Sequence, residues 1–183
     1  NQYKITKTLG KGAFATVKLC VDTNTDELYA MKKMNKKRLK NRYPAGKNQS
    51  AYSFVMEELK VLQKLSHPNI IYLHEIIDDP KRDNIFLITQ YHSRGSLGDK
   101  LEEKNKEYKL HNKQCILENR YEDCKYRGLR VSELRNYFCD MLKALHYIHN
   151  VVKVIHRDIK PDNIVINHNE EAVLIDFGVS FIL

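Results

Sequence analysis

Residues 156–163 read HRDIKPDN, which puts two acids, two bases, a histidine, an amide and a proline into eight positions. Whether that order of charges does chemistry depends on what lies near it in space. The next stretch, IVINHNEEAVLIDFG, holds two apolar runs, residues 164–166 and 172–175, parted by the polar residues 167–171, and this spacing predicts a β-hairpin. Asn163 precedes the first strand and Asp176 follows the second, so antiparallel pairing brings an amide oxygen and a carboxylate to one open end. A hard cation such as Mg2+ takes few protein oxygens and fills its other positions from water and substrate phosphate. Asn163 and Asp176 are therefore a candidate metal seat.

A second signal lies upstream. The stretch SAYSFVMEELKVLQKL has helical spacing, with Ala51, Val55, Leu62 and Leu65 on one stripe. Glu58 falls on that stripe, whereas Glu57 falls to the flank. A carboxylate on a packing face is costly to bury unless a cation meets it. Glu58 needs a basic partner.

The elements that must hold these groups are legible from periodicity. From Tyr3 to Met34 the pattern has period two, with Val17, Leu19 and Val21 on one side of a strand, a turn over residues 22–27, then Leu28, Ala30 and Lys32 on one side of the next. The glycine stretch GKGAFA at residues 10–15 thus sits between two strands, which excludes a dinucleotide fold, where a helix must follow. HPNIIYLHEIIDD and NIFLITQY predict two more strands joined by the turn DDPKRDN. Residues 99–130 are charged, mixed in sign and weakly periodic, and predict a short helix plus a surface insertion. Ser132 is expected to cap a strong helix with the stripe Leu134, Phe138, Met141, Leu145 and Ile148, ending near Asn150.

Composition bounds the class. The 183 residues, 42% hydrophobic, suffice for one good-sized core or two small lobes, and no apolar run is long enough to span a bilayer. Cys20, Cys115, Cys124 and Cys139 form no C-x-x-C pair, so reduced thiols in the cytoplasm are expected rather than a disulfide framework or a zinc site. The chain begins without Met, which suggests that it starts within a longer protein. Its net charge of +8 is uneven, since residues 28–56 contain no acid while Lys32, Lys33, Lys36, Lys37, Arg38, Lys40, Arg42 and Lys47 crowd together. That run reads as a solvated basic loop before a docking site for phosphate or acidic groups. Nucleic-acid binding is not expected, because aromatic platforms beyond Tyr43 are missing from the run.

Four motifs now stand in order: GKGAFATV, YAMK, HRDIKPDN and DFG. Together they resemble the eukaryotic protein kinases, and the resemblance runs over essentially the whole chain. It implies an α+β, bilobal fold: a five-stranded antiparallel small lobe with one main helix (residues 1–91), a hinge and the start of the large lobe (92–98), the charged segment (99–130), and the catalytic and metal loops (131–183). It also implies ATP and Mg2+, and a protein substrate presenting a Ser or Thr hydroxyl. By the same resemblance Gly10, Lys11, Gly12, Ala13, Phe14 and Ala15 form the loop over the phosphates, with Ala15 where the family has its third glycine. Lys32 is expected to hold the α- and β-phosphates and to pair with Glu58, so that Lys32→Met harms more than a surface lysine change. Asp158 is expected to orient the substrate hydroxyl, Lys160 to neutralise the transferring phosphoryl group, and Asn163 and Asp176 to bind Mg2+.

Leu9, Val17, Ala30 and Val165 resemble the apolar walls around adenine, the main chain of Gln90 and His92 resembles the hinge, and Thr89 stands at the gate as a small residue. Leu62, Leu73, His156 and Phe177 are expected to stack as an internal spine, which leaves His156 a structural role. The Asp158-x-Lys160 spacing is similar to serine/threonine kinases. YAMKKMNKKRL, EIIDDPKRDNIFLI and DFGVS are similar to the calcium/calmodulin-dependent kinase kinases, which implies an upstream regulator or calmodulin as partner. Leu183 closely follows Gly178, so the chain is expected to be a fragment lacking the activation loop. The alternative reading is a truncated or pseudokinase fragment that binds nucleotide or a partner without transfer.

Overall fold

A computed structural model describes residues 2–12, 15–44, 46, 48–118, 120 and 128–182, the side chain of Ile182 excepted. Five strands, β1 (Tyr3–Lys11), β2 (Ala15–Asp22), β3 (Leu28–Asn35), β4 (Leu73–Asp78) and β5 (Asn84–Gln90), form an antiparallel sheet in the order β1-β2-β3-β5-β4. The register sets Val17 opposite Lys32 and Lys32 opposite Leu87, while Leu19 faces Ala30 and Ala30 faces Thr89. Directly opposed residues share a face of a sheet. Val17, Ala30, Lys32 and Thr89 thus lie on one side. Cys20, Tyr29, Met31 and Ile88, of opposite parity, form a small separate core on the other side. The Tyr3 hydroxyl of β1 donates to Glu75 of β4 at 2.8 Å, so the two edge strands of the curled sheet meet.

The main core lies under the first face. The lysine-rich run after β3 forms a short helix, α1 (Lys36–Lys40), which corrects the expectation of a solvated loop for its first part: Leu39 is 2% exposed. Helix α2 (Ala51–Leu62) follows, with Ser50 Oγ accepting from Ser53 N at 3.4 Å as its cap. It buries Ala51, Val55, Leu59, Val61 and Leu62 against Met34, Ile85 and Leu87. Past α2 the chain does not go straight into a strand. Ile70 first forms a parallel bridge with Leu174, and β4 starts only at Leu73.

Residues 97–117 correct the expectation of a short helix. They form one helix, α3 (Leu97–Leu117), opened by a reciprocal cap in which Ser96 Oγ accepts from Asp99 N at 3.0 Å and Asp99 Oδ2 accepts from Ser96 N at 2.9 Å. Its weak periodicity has a plain cause: it buries only Leu97 and Cys115, and ion pairs such as Glu102–Lys106 at 2.8 Å support its wet surface. The insertion expected after it, residues 119 and 121–127 above all, lies outside the described residues.

Helix α4 (Val131–His146) begins two residues earlier than expected, with Arg130 rather than Ser132 at its cap position; Glu133 Oε2 accepts from Arg130 N at 2.9 Å. Its buried stripe is Tyr137, Asp140, Met141 and Ala144, continued by Ile148 in a π-helical turn (Tyr147–Val152), whereas Leu134 and Phe138 are 44% and 66% exposed. Two short ladders complete the described chain: β6 (Val154–Ile155) with β9 (Phe181–Ile182), and the hairpin of β7 (Ile164–Ile166) with β8 (Ala172–Leu174). Among the described residues no helix is long and apolar enough to cross a membrane.

Candidate functional site

Lys32 sits mid-strand in β3, facing the core, and its Nζ lies 2.7 Å from Glu58 Oε1 of α2. The same Nζ is 3.7 Å from Asp176 Oδ1 in the loop after β8. Glu58 is 5% exposed, so the acid on the apolar stripe has the basic partner its burial requires. Burial pushes the Lys32 ammonium toward the neutral form, but the Glu58 and Asp176 carboxylates outweigh it and its pKa is raised. One lysine therefore ties the sheet, α2 and the loop after the hairpin to a single point.

The hairpin forms in the expected register, Ile164 against Leu174. Ile175 N donates to Asn163 O at 2.9 Å, which brings the strand ends bearing Asn163 and Asp176 together. Asn163 is held by its amide: Nδ2 donates to both Asp158 O and Asp158 Oδ2 at 2.8 Å. Its Oδ1 accepts no hydrogen bond among the described residues. The Asp176 side chain is 50% exposed. A ready amide oxygen beside a half-exposed carboxylate fits Mg2+, which binds protein through one or two oxygens and completes its shell with water and phosphate.

Asp158 Oδ2 also accepts from Lys160 Nζ at 2.8 Å. That hydrogen bond, with the one from Asn163, holds the Asp158 carboxyl below its ordinary range, and the Lys160 ammonium is raised by the same contact. Asp158 thus stays ionised and half-exposed beside the candidate metal seat. Beneath it His156 is fully buried, edge-on to Phe177 with ring centroids 4.7 Å apart. Its Nε2–H donates to Ile175 O at 3.0 Å and its Nδ1 accepts from Asp158 N at 3.3 Å. Both ring nitrogens are engaged by backbone, which agrees with the structural role expected for this histidine. Leu62 and Leu73 belong to the same core as Phe177. Arg157 and Asp176 both carry positive φ, 67° and 61°, a strained conformation for side chains other than glycine.

The glycine stretch forms the tight link between β1 and β2. Gly10 pairs with Val17, Lys11 ends β1, and Gly12 N donates to Ala15 O at 2.9 Å. Leu9 falls in the irregular register between Thr8 and Gly10, Ala15 packs partly on the core, and Ala13 and Phe14 lie outside the described residues. Thr89 Oγ1 donates to Ala30 O at 3.3 Å, so the small residue expected at the gate is fixed beside Ala30. Gln90 N donates to Tyr72 O at 3.1 Å, and past His92 the chain turns at Gly95 (φ 73°) to bridge Ser96 to Val165. That bridge brings Val165 of the hairpin to the segment following β5. Gly98, in the first turn of α3, approaches the loop of residues 156–163 so closely that a Cβ there would meet Asp162 Oδ1 at 3.0 Å.

Two positioning residues escaped the periodicity reading. Asn69 Nδ2 donates to Ala172 O at 3.0 Å and Asn69 O accepts from Leu174 N at 2.9 Å. Asp140 Oδ2 accepts from Ala172 N at 3.1 Å. The strand of the hairpin that leads to Asp176 is therefore held at Ala172 by two residues outside its own ladder. Asp140 had a signal of the kind that exposed Glu58, an acid on an apolar stripe, but it appears only once the stripe is drawn through Tyr137, Met141 and Ala144.

Residues 3–183 match the family model described as protein kinase domain. The serine/threonine-protein kinase ssp1 of Schizosaccharomyces pombe is 35% identical over 182 residues, covering 100% of this chain and 24% of the relative. The SNF1-related protein kinase catalytic subunit alpha KIN12 of Arabidopsis thaliana is 30% identical, covering 99% of the chain and 30% of the relative. A calcium/calmodulin-dependent protein kinase kinase of Caenorhabditis elegans is 29% identical, covering 98% of the chain and 32% of the relative. The chain thus spans at most a third of the length of these relatives. Four motifs in order, a lysine that joins sheet, helix and loop, and a family match over nearly every residue agree: the chain belongs to the protein kinase family, whose members use ATP and Mg2+.

Proposed function

We propose that the protein of which this chain is part transfers the γ-phosphoryl group of MgATP to a Ser or Thr hydroxyl of another protein. The observation that carries the reading is the double contact of Lys32, 2.7 Å from Glu58 and 3.7 Å from Asp176. In this reading Lys32 holds the α- and β-phosphates, steadied by Glu58, and residues 10–15 cover them from above. Bound Mg2+ supplies charge neutralisation at the phosphate oxygens, and Asn163 and Asp176 are the residues that hold it. Asp158, ionised and fixed by Asn163, orients the attacking hydroxyl and takes its proton as the new O–P bond forms and the bond to the leaving ADP oxygen breaks. Lys160 neutralises negative charge on the group in transit. Val17, Ala30 and Val165 flank adenine, Leu9 covers its edge, and the backbone of Gln90 and His92 recognises it.

The division into an ATP-binding lobe at residues 1–91 and a large lobe beginning past the hinge at 92–98 belongs to the same proposal. So does a cytoplasmic location, which the free Cys20, Cys115 and Cys139 among the described residues favour. Regulation by calmodulin is supported by the name of the Caenorhabditis elegans relative and by the motifs shared with that subfamily.

The test is phosphate transfer from labelled ATP to a Ser/Thr peptide library by the full-length protein, with Lys32→Met and Asp176→Ala beside it. Transfer that needs Mg2+ and falls about 100-fold or more in either variant is expected, the scale on which one preorganised charge contributes. A folded wild-type protein that binds MgATP and transfers nothing would replace this reading with the non-transferring one.

A further inference from the structure

The basic run after β3 takes no part in the chemistry above, yet its first helix is anchored at both ends. Lys36 N donates to Asp83 O at 2.7 Å, and Lys36 Nζ donates to Asp78 Oδ1 at 2.7 Å and to Asp79 O at 2.8 Å. All three acceptors belong to the end of β4 and the acidic turn before β5. The Lys36 side chain is 12% exposed and that of Asp78 33%, so the lysine end of this contact is largely withdrawn from water. Its neighbour Lys37 reaches Asp83 at 3.2 Å, but both partners are more than half exposed and such a pair contributes little.

From Lys36 the connection runs on to α2. Asn35 Oδ1 accepts from Arg38 N at 2.9 Å and caps α1. Leu39 is buried in the same core as Ala51, Val55 and Leu59. Arg42 O accepts from Ala51 N at 2.7 Å, which joins the exit from α1 to the first residue of α2. Lys40 Nζ stands 5.0 Å from the centroid of the Tyr52 ring. Glu58 lies about two helical turns beyond these contacts on the same rigid element.

We propose that Lys36 is a positioning residue: by clamping α1 to the acidic β4–β5 turn it sets the near end of α2, and so the place at which Glu58 meets Lys32. This rests on the phosphate-holding role of Lys32 proposed above. The acid-free stretch then has a purpose other than attracting an external polyanion. Lys36, the first lysine after β3, is neutralised internally, and removing that neutralisation loosens the ATP site from a distance.

The experiment is calorimetric titration of the full-length protein with MgATP, with circular dichroism and thermal unfolding on every variant. Lys36→Met and Asp78→Asn are each expected to raise the Kd about tenfold, the equivalent of about 1.4 kcal/mol. Lys36→Arg should stay near the wild-type value, and Lys37→Met should leave it unchanged. The discriminating measurement is Lys36→Met in a Glu58→Gln background, where no further loss is expected if Lys36 acts through Glu58. Additive losses, or a folded Lys36→Met protein with wild-type affinity, overturn the inference alone. If Lys36→Met proves unfolded, Asp78→Asn and its double variant with Glu58→Gln decide by the same criteria. A wild-type protein that binds no MgATP overturns the proposed function and this inference together.

Discussion

His156 shows how one residue can be polar, buried and yet outside the chemistry. Its imidazole is held neutral because Nε2–H serves Ile175 O while Nδ1 accepts from Asp158 N, and a proton on Nδ1 would displace that backbone donor. Burial accordingly pushes its pKa below the ordinary histidine value. The unfolded chain, with His156 near pKa 6.5, then binds more protons than the folded one in the interval below that value, so stability rises with pH there. Stability should fall as pH drops from about 7 toward 5, by at most about 1.4 kcal/mol per pH unit for one histidine. His67 and His92, whose pKa values burial also lowers, add in the same sense. Urea unfolding at a series of pH values should show a shallower dependence in His156→Phe, which keeps an aromatic ring against Phe177. Equal slopes would mean that the other histidines carry the effect.

At the scale of elements, the hairpin bearing Asp176 is positioned more by its neighbours than by its own short ladder. Strands of three residues supply few hydrogen bonds, and the outer contacts come from Asn69 and from Asp140 of α4, both at Ala172. Asp140→Ala leaves the buried Ala172 N–H without its acceptor and should destabilise the domain by about 1–3 kcal/mol. Asp140→Asn keeps an oxygen in place and should cost clearly less. Denaturant titration of both variants checks this, and equal losses would point instead to the lost charge pairing of Asp140 with Lys143. Glu133 and Asp99 show the same economy at the helix starts, where a carboxylate one turn in satisfies a backbone N–H that periodicity does not display.

Across the whole molecule, the proposed ATP site couples parts that are distant in sequence, because Lys32, Glu58 and Asp176 meet only after the sheet, α2 and the hairpin have assembled. A ligand that binds this assembled arrangement and not the unfolded chain stabilises it by mass action. MgATP at about 100 times its Kd should add about 2.7 kcal/mol. At the usual 2–4 °C per kcal/mol for a domain of this size, that raises Tm by roughly 5–10 °C. Scanning calorimetry with ATP, with and without Mg2+, checks the expectation. Asp176→Ala should abolish the Mg2+-dependent part of the shift, and a shift that persists in that variant would remove Asp176 from the metal seat.

Much of this was legible in the chain itself. Alternation exposes each strand of the sheet because a half-buried sheet needs period two, and the acid on the α2 stripe announces a buried ion pair because an unpaired carboxylate is too costly there. The hairpin runs likewise place Asn163 and Asp176 at one end. Other features depend on partners that no local pattern contains. Helix α3 is nearly all wet, so it has little apolar stripe to display. The buried face of α4 is chosen by what packs on it: Asp140 turns inward to meet Ala172 N, and Leu134 and Phe138, equally apolar and at equally good spacing, turn out. The fate of the lysine run was decided in the same way, since whether Lys36 is solvated or clamped depends on the Asp78 carboxylate at the end of β4 and on the main-chain oxygens of Asp79 and Asp83, far along the sequence. Periodicity reports which faces could be buried; long-range hydrogen bonds and ion pairs, formed between segments far apart in the chain, select the one that is.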